Sequence, residues 1–367
     1  MKKQLLSFSL LLFAATLFAQ QANPIILQTA PCNPVGVAVK DNIMYLGEVC
    51  DFEVTTVDLT QGDPKPVNSY LSSISFPGTL VFRGNDLYMT IINSGNQGAV
   101  SKVDITDNTN TVVEIANDFG DQVKGLAFNG DDLYVGVRGN PSRVDKLDLT
   151  QATPSAQNVV TGLSGFVNDI VLFGNDLYIA HSDMISKIDI TQSNPTASTF
   201  LSGLDGPVGL TLLNNLLFVV LTGDTANKVS MIDLSNPSAV LTDFVTGLGD
   251  PWSLYIDGNT MYIVEQTTST ISSVDISTLS IDDFVKNDGI SLISNEAKEG
   301  IIKIQNPNFI KIEKISLFNV FGQNIAANFI SNGDLQEIQT QRLASGIYFL
   351  KLQKEDSSLK SIKFIVE

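Results

Sequence analysis

The sequence predicts an all-β chain: a six-bladed β-propeller followed by a small Ig-like antiparallel β-sandwich. Three observations predict it. One unit of short, turn-bounded apolar strands recurs six times between residues 35 and 277. Its period of about 40–45 residues, with four short strands per unit, is the spacing of a propeller blade. Near residue 288 the repeat stops, and short alternating strands follow in a segment of balanced charge.

Residues 1–20 read as a secretory signal peptide. Lys2 and Lys3 form a basic start, residues 5–18 are almost all apolar, and Ala19 offers a small residue for cleavage. The apolar run is shorter than the roughly 20 residues that span a bilayer. No later segment is apolar enough to cross, so no transmembrane segment is expected.

The propeller is assigned to residues 21–287. Each unit has a first strand, a Gly/Asn/Asp turn, and a second strand with a central aromatic. The aromatics are Tyr45, Tyr88, Tyr134, Tyr178, Phe218 and Tyr262, separated by 43, 46, 44, 40 and 44 residues. A third strand ends each time in Asp-Leu/Ile-Thr/Ser, at Asp58, Asp104, Asp148, Asp189, Asp233 and Asp275, and a fourth β-rich stretch closes the unit. Helical repeats of this length would need apolar residues at helical spacing, whereas these runs are four or five residues long and β-branched. Closing the ring requires a fourth strand for the last blade. Residues 24–29 and residues 281–285 both suit that place.

The units resemble the NHL/YVTN-like group of six-bladed propellers over about residues 30–285. The likeness lies in GLAF at 125–128, DLYV at 132–135 and KIDI at 187–190. It implies an architecture and no particular activity. The Gly-His and Trp-Asp pairs of WD40 repeats are absent.

Strand direction sorts the connections onto two ends of the ring. The turns from first to second and from third to fourth strand share one end. They carry Asp41, Asp86, Asp131, Asp132, Asp176, Asp257 and the six repeated aspartates. Aspartate caps tight turns by bonding its own backbone, which accounts for them without a ligand. Calcium is the alternative, but no Asp-x-Asp-x-Asp-Gly run is present. The opposite end holds loops that do not repeat, the usual place for a binding surface on a rigid scaffold. Candidate ligand-binding residues there are Glu48, Arg138, His181, Asp183, Trp252 and Glu265. Cys32 and Cys50 fall at the same end, equally far from the hairpin turn at Asp41. They are expected to form a disulfide in an oxidising compartment.

Residues 21–285 hold ten basic and thirty acidic residues, a net charge of −20. Such a surface repels phosphate backbones, which argues against nucleic acid or anionic lipid as partner. His181 is the sole histidine, so chemistry needing several is excluded. No phosphate loop, zinc spacing or dinucleotide fingerprint occurs. Gluconolactonase-like propellers hold a metal at the inner ends of several blades. Here those places offer Asn168 and Asp169, with mostly Gly, Pro and Val elsewhere. No metal, no cofactor and no catalytic residue is assigned.

Residues 288–367 resemble the type A C-terminal sorting domain of the type IX (Por) secretion system. The matching pieces are ISLFNVFGQ at 315–323, LASGIYFLK at 343–351 and KSIKFIVE at 360–367. Where that family has Pro-Asn-Pro, this chain has Ser294, Asn295 and Glu296. The resemblance implies passage across the outer membrane by the type IX machinery, with residues 288–367 as the contact. It also implies a secreted or cell-surface location. The expected function is a binding module for an extracellular glycan, peptide or protein. An exported hydrolase or lyase, with its site at the channel mouth around His181, Glu48 and Glu265, is the alternative.

Overall fold

The computed structural model describes residues 20–277 except 94, 96 and 236–239, then residue 279. In the C-terminal part it describes 291–292, 301–305, 311–319, 324–326, 328–332, 335–339, 343–354 and 359–366. The expected signal peptide, apart from Gln20, lies outside the described residues, as do residues 281–285 and the expected boundary at 287/288. The chain divides into two compact units, Met1–Ile276 and Ser277–Glu367.

The first unit holds six four-stranded antiparallel sheets. The inner strands of blades 1 to 6 are Pro34–Lys40, Leu80–Arg83, Val123–Asn129, Val167–Phe173, Pro207–Leu213 and Pro251–Asp257. The second strands are Ile43–Glu48, Asp86–Ile92, Asp132–Val137, Asp176–His181, Leu216–Leu221 and Thr260–Glu265. Tight turns join them. In blade 1, Asp41 and Asn42 have φ of 52° and 63°, the left-handed pair of a type I′ hairpin. Inner strands touch between blades 1 and 2, 3 and 4, 4 and 5, and 5 and 6. The inner strand of blade 3 meets the second and third strands of blade 2 instead, and the inner strand of blade 6 meets that of blade 1, so the sheets close into a ring. Close approach matters here: a Cβ on Gly36 would lie 2.0 Å from the Gly78 carbonyl oxygen of the next blade.

The repeated aromatics hold neighbouring blades together. Tyr45 packs among Leu80, Leu87, Met89 and Val103 of blade 2. Tyr88 joins Leu126, Leu133, Val135 and Leu147 of blade 3, and Tyr134 joins Ile170, Leu177, Ile179 and Ile188 of blade 4. Tyr178 enters the core of blade 5 beside Leu217 and Val219. Tyr262 completes the circuit against Val37, Val39, Met44 and Leu46 of blade 1. An aromatic side chain buries 150–250 Å², so each of these contacts is a large share of the blade-to-blade attachment.

The N-terminal segment supplies the missing strand of blade 6. Asn23 and Pro24 pair with Ser273 and Ser272 of its third strand, and the Ile25 amide donates to the Ile271 carbonyl at 2.8 Å. The same segment goes on to blade 1, where Leu27 bridges Lys65. At its start Gln20 bridges Val245 of blade 5. Residues 20–28 therefore tie three consecutive blades. The disulfide Cys32–Cys50 forms as expected, with Cα atoms 5.7 Å apart.

The second unit is two four-stranded sheets. One contains Ser291–Leu292, Ile301–Gln305, Leu335–Gln339 and Asn328–Asn332; the other contains Asn324–Ile325, Ile312–Asn319, Gly346–Lys354 and Leu359–Val366. Ile302, Ile304 and Ile338 of the first meet Leu317, Leu350, Leu352 and Phe364 of the second in one core. This is the small sandwich that the sequence pattern indicates.

Replacing Tyr134 by Ala removes one blade-to-blade contact. The expected loss is about 3–5 kcal/mol, the range for deleting a large buried side chain. Urea unfolding of the two proteins measures it, and a loss below 1 kcal/mol would contradict the packing role.

Candidate binding site at the channel mouth

Five of the six inner strands carry a β-bulge near their start. Register slips between Pro34 and Gly36, Val123 and Leu126, Val167 and Asp169, Pro207 and Gly209, and Pro251 and Ser253. A bulge leaves a residue outside the ladder and re-aims its side chain. The residues so released are Val35, Lys124, Asn168, Val208 and Trp252, and the matching position of blade 2 is Gly78. Five of these positions sit at the start of an inner strand and Gly78 lies two residues before one, so together they ring the mouth of the central channel at the loop-varied end.

Lys124 and Trp252 come from blades 3 and 6, which face each other across the ring. The Lys124 Nζ lies 4.1 Å from the centroid of the Trp252 ring, so the lysine reaches over the channel to an aromatic face. A cation over an indole face is attracted by its quadrupole. Beside it, the Arg138 guanidinium lies 4.9 Å from the Phe166 ring centroid, and Phe166 is 56% exposed. Among the described residues neither the Lys124 Nζ nor the Arg138 Nε has a hydrogen-bond partner, and both atoms are shut off from solvent. Seven of the ten cations between residues 21 and 285 make ion pairs. Among the described residues Lys40, Lys124 and Arg138 do not, and the last two meet at this mouth.

Burial and the nearby positive charge of Arg138 hold the Lys124 ammonium down to about 7. Asp169 lies close enough to favour its charged form, but the carboxylate is already committed. It accepts from the Ile170 amide at 2.9 Å and from the Leu210 amide of blade 5 at 2.8 Å. Burial pushes the Asp169 carboxyl up to about 6 despite those bonds. Asn168 donates to the Pro207 carbonyl at 2.9 Å.

Of the residues expected to bind a ligand, Arg138 and Trp252 belong to this cluster. Glu48, His181 and Glu265 do not. They are not loop residues but the last residues of their second strands, buried at 3%, 2% and 7% exposure. Glu48 accepts from the Cys32 amide and the Thr55 hydroxyl. Glu265 accepts from the Gly249 amide and the Ser272 hydroxyl. His181 makes the same two kinds of contact, 2.8 Å from the Ser164 carbonyl through Nδ1 and 2.7 Å from the Ser186 hydroxyl through Nε2. A carbonyl only accepts, so Nδ1 carries the proton. Each of the three ties its own blade to the loop that enters it, from blades 1, 4 and 6, and the structure does not bring them together. Burial pushes the Glu48 carboxyl upward, and Glu53 and Asp51 add to it. Asp183 is exposed, and its carbonyl accepts from the Leu204 amide.

At the acidic end the repeated aspartates cap their own turns. Asp58, Asp104, Asp148, Asp189 and Asp233 each accept from the backbone amide and the hydroxyl of the Thr or Ser two residues on. Those bonds hold their carboxyls below the usual range. An open groove of about 620 Å³ lies elsewhere, between the outer strand of blade 3 and residues 190–197 of blade 4. Lys146 is the sole charged residue among those lining it, and that lysine is paired with Asp132.

Sequence reasoning missed Lys124 and Phe166. Lys124 was recoverable: counting two residues back from the inner-strand Val37, Leu80, Leu126, Ile170, Leu210 and Leu254 gives Val, Gly, Lys, Asn, Val and Trp in order. That column is the channel ring.

Comparison with known proteins agrees with both units. Residues 298–367 match the family described as the secretion system C-terminal sorting domain. The chain thus carries a type IX sorting domain and is a secreted or cell-surface protein. Among solved structures, a protein of unknown function from Bacteroides thetaiotaomicron VPI-5482 is similar with a TM-score of 0.55 and 12% identity. The match covers 69% of this chain and 72% of that one. A gluconolactonase from Xanthomonas campestris is similar at 0.55 and 11% identity, over 67% and 87% of the two chains. Virginiamycin B lyase from Staphylococcus aureus is similar at 0.50 and 13%, over 69% and 98%. At such identities the likeness concerns the propeller fold. No curated protein matches the sequence.

The depressed Lys124 ammonium has a consequence for stability. Between about pH 7 and the ordinary lysine value of 10.5, the unfolded chain holds a proton that the native chain has shed. Stability contributed by this group therefore rises with pH across that window, and its penalty is full below pH 7. Lys124→Met should raise stability at pH 6 by about 1–3 kcal/mol, the cost of an unsatisfied buried polar group, and flatten the rise. Wild-type Trp252 emission should titrate near pH 7 and stop doing so in Lys124→Met. Identical pH profiles for the two proteins would refute the contact.

Proposed function

We propose that this chain, carried out of the cell by its C-terminal sorting domain, is a binding propeller whose contact surface is the loop-varied end. Its ligand sits at the channel mouth. One observation carries the reading: two cations, each laid on an aromatic face and each with an unpartnered nitrogen, converge where the inner strands begin. Burying such groups is costly unless something satisfies them. The loops around them differ from blade to blade, as a specific contact surface requires. The hydrolase or lyase alternative needed His181, Glu48 and Glu265 free at the mouth. Their hydrogen bonds to loop backbone and to Thr55, Ser186 and Ser272 leave them a positioning task instead.

The test is retention of the full mature chain on a carbohydrate and peptide array. Trp252→Ala and Arg138→Ala should each lose at least about tenfold in affinity for a retained ligand, the effect of removing one contact of about 1.4 kcal/mol. His181→Ala should keep that affinity while costing about 1–3 kcal/mol of stability through the orphaned Ser186 hydroxyl. Unchanged retention by both mouth variants would overturn the reading.

A further inference from the structure

We propose that the channel mouth is a carboxylate-binding site, in which a ligand's carboxylate bridges the Lys124 Nζ and the Arg138 Nε. The proposal rests on the mouth being the contact surface and names the chemistry that it takes. Three features of the cluster select that chemistry. The first is what is missing: two cationic donors are sealed in, and neither has an acceptor among the described residues. The neighbouring Asp169 makes no hydrogen bond to either: its two oxygens accept from the Ile170 and Leu210 amides, and it acts on Lys124 through charge alone. A ligand oxygen would supply the acceptor that both donors lack.

The second feature is charge. Lys124 and Arg138 oppose the single carboxyl of Asp169, so the site with its lysine protonated and Asp169 ionised holds one surplus positive charge. A monoanion balances it. A phosphate dianion would overshoot, inside a domain whose net charge is already −20. A carboxylate also offers two oxygens, one for each donor, and charge-assisted bonds of this kind are about twice as strong as neutral ones.

The third feature is the aromatic lining. Trp252 currently holds the ammonium against its face. When Lys124 turns to a carboxylate, that face is released to the apolar side of the ligand, and the open face of Phe166 lies beside it. Aromatic faces that flank a charged anchor are the ordinary build of a small-ligand site. The lysine thus acts as an occupant of the channel that a ligand displaces.

Trp252 is the sole tryptophan in the chain, so its emission reports the event directly. The full mature chain is titrated at pH 6 with D-glucuronate and with N-acetylglycine, which carry the same group on a sugar and on a peptide end. D-glucose and N-acetylglycinamide are the neutral counterparts. The expected result is a saturable change in Trp252 emission with one or both carboxylates, at least tenfold tighter than with the matching neutral compound. Whichever carboxylate binds more tightly identifies its source. Lys124→Met and Arg138→Gln should each weaken it at least tenfold, and Lys40→Met, on a cation outside the cluster, should leave it unchanged. Lys124→Met is expected to gain stability, so a loss of binding there is not a loss of fold. Equal affinity for charged and neutral compounds, or no saturable response to either carboxylate, would overturn the carboxylate assignment. So would an unchanged affinity in Lys124→Met. If the array then still retains a ligand through Trp252, the binding reading stands and the carboxylate assignment alone has failed.

Discussion

The structure depends on one contact repeated around a ring: an aromatic side chain at the centre of the second strand, buried in five of the six blades against the sheet that follows it. Tyr45, Tyr88, Tyr134 and Tyr178 pass the attachment from blade 1 to blade 5, and Tyr262 returns it from blade 6 to blade 1. A single four-stranded sheet has two faces to cover and cannot cover either alone. Burial is completed only by neighbours on both sides, so the ring has no free end that is content to stay open. The N-terminal segment meets that constraint mechanically. By pairing with the third strand of blade 6 and bridging to Lys65 of blade 1, it turns a linear array into a closed one.

Closure has a chemical consequence. Residues 124 and 252 are far apart in sequence and sit on opposite blades, yet the bulges at the start of their strands release both side chains into the same narrow mouth. Lys124 thereby becomes a buried ammonium with an indole as its contact, and Arg138 adds a second cation beside it. The site is a product of ring geometry and has no counterpart in any local motif. Its unsatisfied groups are tolerated because the surrounding core outweighs them.

Much of the frame was legible in the sequence. The aromatic spacing, the Asp-Leu/Ile-Thr/Ser strand ends and the apolar pairs gave the six sheets, and the position of Cys32 and Cys50 about the Asp41 turn gave the disulfide. Two sequences, 24–29 and 281–285, suited the closing strand equally. What decides for the first is long-range pairing to Ser272 and Ser273, which no local pattern encodes. The site was half legible. Arg138 and Trp252 were named as candidates because they fall at the loop-varied end, and both lie in the cluster at the mouth. Glu48, His181 and Glu265 look the same by that criterion, because a one-residue difference in where a strand ends separates a loop side chain from a buried one. Three blades place Ile91, Val137 and Leu221 at the same point after the aromatic, and that apolar company marks the position as interior. Lys124 was passed over because an inner strand read without its bulge turns this residue into one more alternation.

The central claim is that a closed ring brings opposite blades to a common mouth. It is tested most directly by comparing chains that begin at residue 20 and at residue 29, each unfolded in urea while Trp252 emission is followed. Closure by the N-terminal segment predicts one cooperative transition for the longer chain. It predicts a lower midpoint for the shorter one, with Trp252 emission already shifted to the red before any urea is added. Two superimposable curves, with the same emission in plain buffer, would contradict it.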